Sequence, residues 1–302
     1  MTQRLALTGA TGFVGSHALD AAIAAGMTVR ALVRRPQPER NGVNWIIGGL
    51  DDAAALQALC DGADAVLHIA GAVNVPTRAD FAAANIAGTQ AVLTAATAAH
   101  IARFVHVSSL AARAPALSNY GWSKAQAEDA VSASNLNWVI VRPPGVYGPR
   151  DTEVLALFQM ARRGAVLLPP DGRGSWIHVD DLVRLLLTLT GAGPAHAVLE
   201  PDDAHPQSHR AMAAMIGEAV GRPHPLAIAA PRWLLQLAAR GDRLVRGAGA
   251  KLTPDRAAYM AHPDWVSDPA RRPDPVLWTP RIAPAEGLAA TAHWYRSQGW
   301  LA

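Results

Sequence analysis

The strongest constraint on how this chain folds is a glycine-spaced turn placed directly after an N-terminal apolar strand. Arg4–Thr8 reads as a strand, and Thr8-Gly9-Ala10-Thr11-Gly12-Phe13-Val14-Gly15 runs straight into an apolar helical stretch, Phe13–Ala25. The three glycines serve different needs: a tight turn, close approach of backbone to a ligand, and close packing of helix on strand. A helix starting there presents unpaired N–H groups and a positive dipole end, which favours a pyrophosphate. No Gly-Lys-Ser/Thr ending follows, so the turn is not a P-loop. Cofactor contacts are expected from Gly9, Thr11, Gly12, Phe13, Val14 and Gly15.

The same alternation continues for about 145 residues. Thr28–Val33, Val43–Ile47, Ala65–Ala70, Phe104–Ser108 and Trp138–Arg142 read as strands, and Ala53–Leu59, Phe81–Ala99 and Tyr120–Ser134 as helices. That order predicts an α/β fold, a Rossmann-type doubly wound parallel sheet with helices on both faces. The second strand ends in Val33-Arg34-Arg35, and Arg34 stands 34 − 15 = 19 residues after the last glycine of the turn. An acidic residue there accepts from a ribose 2′-hydroxyl, whereas an arginine suits a 2′-phosphate. Arg34 and Arg35 therefore point to NADP(H) rather than NAD(H).

After Arg142 prolines interrupt the pattern, and six of the nine tryptophans follow residue 170. The expected division is a dinucleotide-binding domain over 1–145 and a smaller, discontinuous substrate domain over 146–178 and 201–302. Residues 179–200 are expected to return to the first domain, as a helix N-capped by Asp180 or Asp181 and running to Thr190, then a strand Ala197–Glu200.

Charge bears on partners. There are 27 Lys and Arg against 24 Asp and Glu, a net +3, and no stretch concentrates the excess, so no nucleic-acid track is indicated. Cys60 is the single cysteine, which rules out an intrachain disulfide and suits a reducing compartment. Met1–Gly15 lacks the basic head and apolar core of a signal peptide, and Phe81–Ala102, though uncharged, is too polar to span a membrane. A cytoplasmic location is expected.

The identity of the cations is more informative than their sum. Only two are lysines, Lys124 and Lys251, and Lys124 stands four residues after Tyr120, one of four tyrosines. That spacing places both on one helix face. A phenol with pKa near 10 is a poor acid or base at neutral pH, and a nearby ammonium lowers it. Eleven residues before Tyr120, the strand Phe104–Ser108 ends in Ser108-Ser109, hydroxyls able to hold a substrate oxygen beside the phenol.

With these motifs the sequence resembles the extended short-chain dehydrogenase/reductase superfamily. Thr8–Gly15 is similar to its glycine fingerprint and Asn85-Ile86-Ala87-Gly88-Thr89 to its Asn-x-x-Gly-Thr helix. Ser109, Tyr120 and Lys124 match its catalytic residues, Arg142–Pro149 its Arg-Pro-x-x-Val-Tyr-Gly-Pro strand end, and Ile177–Asp181 its late His-Val-Asp-Asp helix start. The match covers about residues 3–200, and 205–302 is only loosely recognisable as an extended-type substrate domain. The resemblance implies that Tyr120 is the general acid or base and that Lys124 binds the nicotinamide ribose. It implies that Ser109, rather than Ser108, orients the substrate oxygen, that Asn85 supports a proton-relay water and that Pro143 lies against the nicotinamide. Ala70, Gly71, Ala72 and Val146 complete the expected cofactor contacts. The Val33-Arg34 ending resembles NADPH users such as dihydroflavonol reductases, and many relatives are homodimers.

Three departures shape the functional reading. Gly48-Gly49-Leu50 replaces a Gly-Asp-Leu whose Asp lies near adenine in many relatives, so that contact comes from Asp51, from backbone or from nothing. Gly145 stands where sugar-nucleotide enzymes often carry Asn, and the Leu110–Asn119 loop is short. The expected function is NADP(H)-dependent interconversion of a carbonyl and an alcohol, on a small neutral or apolar substrate. Its pocket is expected between the domains, walled by Ala72–Thr77, Leu110–Asn119, Pro144–Asp151 and part of the tail. A nucleotide-sugar epimerase or dehydratase recycling NAD is the rival enzyme, and a non-catalytic cofactor-binding sensor or assembly subunit the third reading. His205 and His209 lack a third ligand and a suitable backbone for zinc, and no Gly-x-Ser-x-Gly elbow exists. His262-Pro263-Asp264-Trp265 reads as a buried structural corner, and Arg162 and Arg163 as solvated cations.

Overall fold

A computed structural model describes residues 2–247 and 252–301. Lys251, the second lysine, lies outside them. The chain divides into two compact units: Met1–Arg142, Leu182–Leu199 and Pro273–Trp278 form the first, and Pro143–Asp181, Glu200–Arg272 and Thr279–Ala302 the second.

In chain order the first unit begins with β1 (Arg4–Thr8), α1 (Phe13–Ala24), β2 (Thr28–Val33), β3 (Val43–Ile47), α2 (Ala53–Cys60) and β4 (Ala65–His68). It continues with α3 (Arg78–Phe81), α4 (Gly88–Ala98), β5 (Arg103–Val107), α5 (Asn119–Ser132) and β6 (Trp138–Val141). Next come β7 (Gly145–Tyr147), α6 (Leu155–Arg162), β8 (Ala165–Leu168), β9 (Arg173–Gly174), β10 (Trp176–His178), α7 (Val179–Leu189) and β11 (Ala197–Leu199). The remaining elements are β12 (Gln207–Ser208), α8 (His209–Ala219), β13 (Leu226–Ala229), α9 (Arg232–Arg246), α10 (Pro254–Met260), β14 (Asp264–Trp265) and α11 (Pro284–Ser297).

The first unit is built on one seven-stranded sheet in the order β3-β2-β1-β4-β5-β6-β11, every pairing parallel. The order reverses between β1 and β4, the switch point where doubly wound sheets bind ligands at their strand C-termini. The inner strands β4, β5 and β6 are buried along their length, as a sheet covered on both faces requires. One core cluster packs Leu56 and Leu59 of α2, Val92 and Ala96 of α4 and Val131 of α5 against Val66, Phe104 and Ile140. Each large side chain buried there contributes roughly 1.5–3 kcal/mol relative to exposure.

Two details depart from the periodic reading. The span expected as the helix Phe81–Ala99 is helical to Ala98, but it is not α-helix throughout. Thr77 starts α3 with a capping box closed by Asp80, and a π-helical segment, Ala82–Ala87, separates α3 from α4. The wider turn carries the buried Asn85. Asp180 and Asp181 are not helix caps either, because α7 already begins at Val179 and holds both in its first turn. Asp181 accepts instead from the backbone N–H groups of Arg281 and Ile282, both at 2.9 Å.

The second unit has three small sheets: β7 with β10, β8 with β13, and β12-β9-β14. Its core joins Tyr147, Phe158, Val166, Met212, Ile216, Leu288 and Tyr295. The His262–Trp265 corner is structural but only partly buried. Trp265 packs on Tyr259 and His262 at ring distances of 4.8 and 4.6 Å and donates its indole N–H to the Tyr259 carbonyl.

Candidate active site

The β1–α1 turn has no room for side chains at two of its glycines. Gly9 has φ +76°, and a Cβ on it would lie 2.8 Å from the Ala70 nitrogen. A Cβ on Gly15 would lie 1.9 Å from the Gly9 carbonyl oxygen. Gly12 is different. It is the N-cap of α1, no side chain caps the helix, and its own Cβ would meet only the Gly9 oxygen, at 3.3 Å. The first turn of α1 carries no acidic residue. A dinucleotide pyrophosphate fits this cradle of open N–H groups, and neighbouring Thr11, Phe13 and Val14 are exposed or only partly buried.

The end of β4 is tied to the same turn. The Ala70 N–H donates to Thr8 Oγ1 at 3.1 Å, Thr8 Oγ1 shares a 2.7 Å hydrogen bond with His68 Nδ1, and His68 Nε2 shares one of 3.0 Å with Thr89 Oγ1. Burial, helped by the Lys124 charge, pulls His68 down to about 3, so the imidazole is neutral in this chain of bonds. Two residues on, Asn85 clamps Ala72: its Oδ1 accepts the Ala72 N–H at 2.7 Å and its Nδ2 donates to the Ala72 carbonyl at 3.0 Å. The second Nδ2 hydrogen goes to Ser123 Oγ at 2.8 Å. Both amide hydrogens are thus committed to protein partners. A Cβ on Gly71 would lie 2.9 Å from Asn85 Oδ1 and 3.8 Å from Lys124 Nζ, which brings loop, clamp and lysine together.

Ser118 caps α5 by accepting the Gly121 N–H at 2.9 Å, and a Cβ on Gly121 would lie 2.7 Å from the Ala111 carbonyl oxygen. The helix start is therefore held close to the segment that follows Ser109. Tyr120, Lys124 and Glu128 then occupy successive turns of one face. Ser109 hydrogen-bonds the Tyr120 phenol and accepts the Ala111 N–H at 3.2 Å. Ser108 is engaged elsewhere, donating to Glu128, whose carboxylate also accepts the Arg142 Nε hydrogen, shared between its two oxygens at 2.9 and 3.1 Å, and a bond from Arg142 Nη2 at 2.5 Å. Lys124 donates to the Val107 carbonyl at 2.7 Å.

The Tyr-x-x-x-Lys spacing predicts a phenol lowered by the ammonium. The folded chain instead holds Tyr120 above its ordinary 10, because burial disfavours the phenolate and the opposing pull comes from the Ser109 hydrogen bond. Lys124 itself is brought down to about 8 by burial, with the Glu128 carboxylate pulling the other way. Arg34 and Arg35 follow β2 directly and are exposed. Pro143 and Val146 belong to the second unit, where Val146 pairs with Ile177 in the β7–β10 ribbon.

Comparison with known proteins settles the family. The model of the NAD dependent epimerase/dehydratase family matches residues 5–198. The chain belongs to that family. It is thereby an enzyme of the extended short-chain dehydrogenase/reductase superfamily, NAD(P)-dependent as a class. Over 98% of its length this family member is 37% identical to a ceramide reductase of Caulobacter vibrioides, covering 96% of that protein. It is 32% identical to a 4-hydroxy-2-methyl-3-oxo-4-farnesyl-3,4-dihydroquinoline-1-oxide ketoreductase of Stigmatella aurantiaca, covering 72% of this chain and 73% of the other. Among solved structures, MoeE5 with UDP-glucose and NAD superposes with a TM-score of 0.76 at 24% identity, covering 98% of this chain and 99% of its own. DesIV, a dTDP-glucose 4,6-dehydratase of Streptomyces venezuelae with NAD bound, gives 0.77 at 21% identity over 99% of each chain. At those identities the likeness is one of fold.

In this family member Gly145, at the start of β7, is closely covered. The indole of Trp176 lies over it, and a Cβ on Gly145 would fall 2.7 Å from the ring. A side chain as large as asparagine has no room there. Glu128, His68 and Ser123 escaped the sequence reading. Glu128 had a signal, an acid four residues beyond Lys124, but its partners Ser108 and Arg142 are distant in sequence.

Proposed function

We propose that the protein is an NADPH-dependent reductase of a carbonyl group on a largely apolar, lipid-like substrate. The observation that carries the chemistry is the hydrogen bond between Ser109 and Tyr120 at the head of the α5 face that also bears Lys124. Support for the substrate class comes from the relatives named for ceramide and for a farnesylated quinoline oxide, both of them reductases.

When bound, the reduced nicotinamide supplies the hydride that adds to the carbonyl carbon. Ser109 orients the carbonyl oxygen by hydrogen bonding, and Tyr120 gives that oxygen its proton. A phenol held above 10 keeps its proton at neutral pH, which suits the reductive direction. Lys124, protonated below about pH 8, binds cofactor hydroxyls and offsets the negative charge left on Tyr120. Asn85 and Thr8 act as positioning residues that fix the Ala70–Ala72 loop, and Arg34 meets the 2′-phosphate.

The rival sugar-nucleotide reading draws on structural neighbours of the same fold, but Trp176 fills the space beside Gly145 that the diphosphate-holding asparagine needs. The non-catalytic reading is disfavoured by the assembled Ser109, Tyr120 and Lys124. The test is NADPH oxidation against a panel of ketones running from water-soluble to long-chain. Turnover by the natural chain that is lost in Tyr120→Phe supports the proposal. Full activity of Tyr120→Phe, or no turnover across the panel, overturns it.

A further inference from the structure

We propose that α9 and the β8–β13 ribbon form a docking surface for an anionic lipid bilayer. The inference does not depend on the reduction chemistry.

The helix α9 has two apolar faces. One is inside, where Leu235 and Ala239 pack with Ala230 and Ala257. The other is outside: Trp233 is 68% exposed, Leu237 56% and Leu244 87%. Positions 233, 237 and 244 fall on one narrow face of a helix, opposite 235 and 239. The chain enters α9 from β13, where Leu226 and Ile228 are also exposed, and Leu167 of β8 is exposed beside Ile228 in the paired register. Of eleven exposed large apolar side chains among the described residues, seven lie in these three elements. Scattered single apolar residues need no explanation, but a concentration of this kind marks an interaction surface.

The charge on the same segment selects the occupant. The even spread of charge expected from the whole chain does not hold in this segment: residues 231–251 hold Arg232, Arg240, Arg243, Arg246 and Lys251 against one acid, Asp242. Asp242 is held by Arg246 at 3.3 Å and accepts the Leu252 N–H at 2.9 Å. Arg232, Arg240 and Arg246 are exposed. Arg162 and Arg163 are also exposed, just before Gly164, whose carbonyl accepts the Leu226 N–H at 2.8 Å. Arg240 falls on the apolar face itself, between Leu237 and Leu244. In a dry protein interface that cation needs a carboxylate partner, and a second copy of this segment offers only Asp242. At a bilayer surface the leucines and the indole enter the headgroup region while the guanidinium reaches up to phosphate. No helix among the described residues is long and apolar enough to cross a membrane, so the contact is one of lying on the surface.

The experiment is co-sedimentation of the full chain with vesicles of phosphatidylcholine alone and of phosphatidylcholine with phosphatidylglycerol. Binding to the anionic vesicles is expected to be at least about tenfold tighter and to weaken in high salt. The double variant Trp233→Ser, Leu244→Ser, altered only at exposed positions, should lose binding while keeping its melting temperature and its circular dichroism spectrum. Arg240→Glu should reduce binding to anionic vesicles selectively. Failure to bind either vesicle overturns the proposal, as does undiminished binding by the double variant. A dimer that this double variant disperses, in a chain that ignores vesicles, assigns the face to self-association and also overturns it.

Discussion

The two units bury polar groups to different ends. In the first, Thr8, His68, Asn85, Ser109, Lys124 and Glu128 lie near the strand C-termini and the segments that follow them, and their bonds hold those segments around Ser109 and Tyr120. In the second, buried carboxylates hold irregular backbone. Asp151 accepts from the N–H groups of Glu153 and Val154, Asp181 from Arg281 and Ile282, and Asp202 binds Ser175 and Arg272. A loop-rich unit with three small sheets leaves many N–H groups without ladder partners, and buried ones must be satisfied by something. The difference teaches that a buried charged group is not by itself a mark of catalysis.

Substitutions should separate the two uses. The largest effect is expected from Tyr120→Phe, with turnover falling about 10²–10⁴-fold and the melting temperature unchanged. An equal loss of stability would mean that the first unit, too, spends its polar groups on structure. Arg34→Ala should weaken NADPH binding by about ten- to a hundredfold and leave NADH binding nearly alone, as titration calorimetry would show. Equal losses for both cofactors would remove Arg34 from its assigned place. In the second unit, Asp181→Ala removes the acceptor of two backbone bonds and should lower unfolding stability by roughly 2–4 kcal/mol without changing NADPH affinity. A loss of affinity would break the comparison.

The pH response should differ in direction. Burial raises Asp151 and Asp203 to about 6, so between roughly pH 4 and 6 the folded second unit holds protons that the unfolded chain releases. Stability therefore falls as pH rises through that window, and Asp203→Asn should flatten the fall by about 1–3 kcal/mol in chemical denaturation. Lys124, lowered to about 8, acts in the opposite sense: the unfolded chain holds the extra proton from about pH 8 to 10.5, so stability rises with pH there. NADPH affinity should decline as pH rises through about 8, where the folded chain loses the Lys124 ammonium. The smallest effect is expected from Gly145→Asn, which must displace the Trp176 ring and should lower the melting temperature by a few degrees. Calorimetry should show no gain of UDP-sugar binding.

Much of the first unit was legible because its signals are local. The glycine spacing after β1, the strand periodicities and the Tyr120–Lys124 interval each lie within about one element, where geometry follows directly from sequence separation. The π-helical segment around Asn85 was not legible, because nothing in Ala82–Ala87 distinguishes it from ordinary helix until Ala72 and Ser123 are brought beside it. The cap assigned to Asp180 or Asp181 failed for a similar reason, since the acceptor's partners lie a hundred residues further along.

By itself the sequence determined the parallel sheet, the glycine cradle and the helix face that carries Tyr120 and Lys124, because these depend on residue spacing. Only the tertiary structure decided that Ser108 goes to Glu128, that burial rather than Lys124 sets the direction of the Tyr120 shift, and that Trp176 closes the space over Gly145. Those outcomes depend on desolvation and on contacts between segments far apart in the chain, and neither exists until the chain has folded.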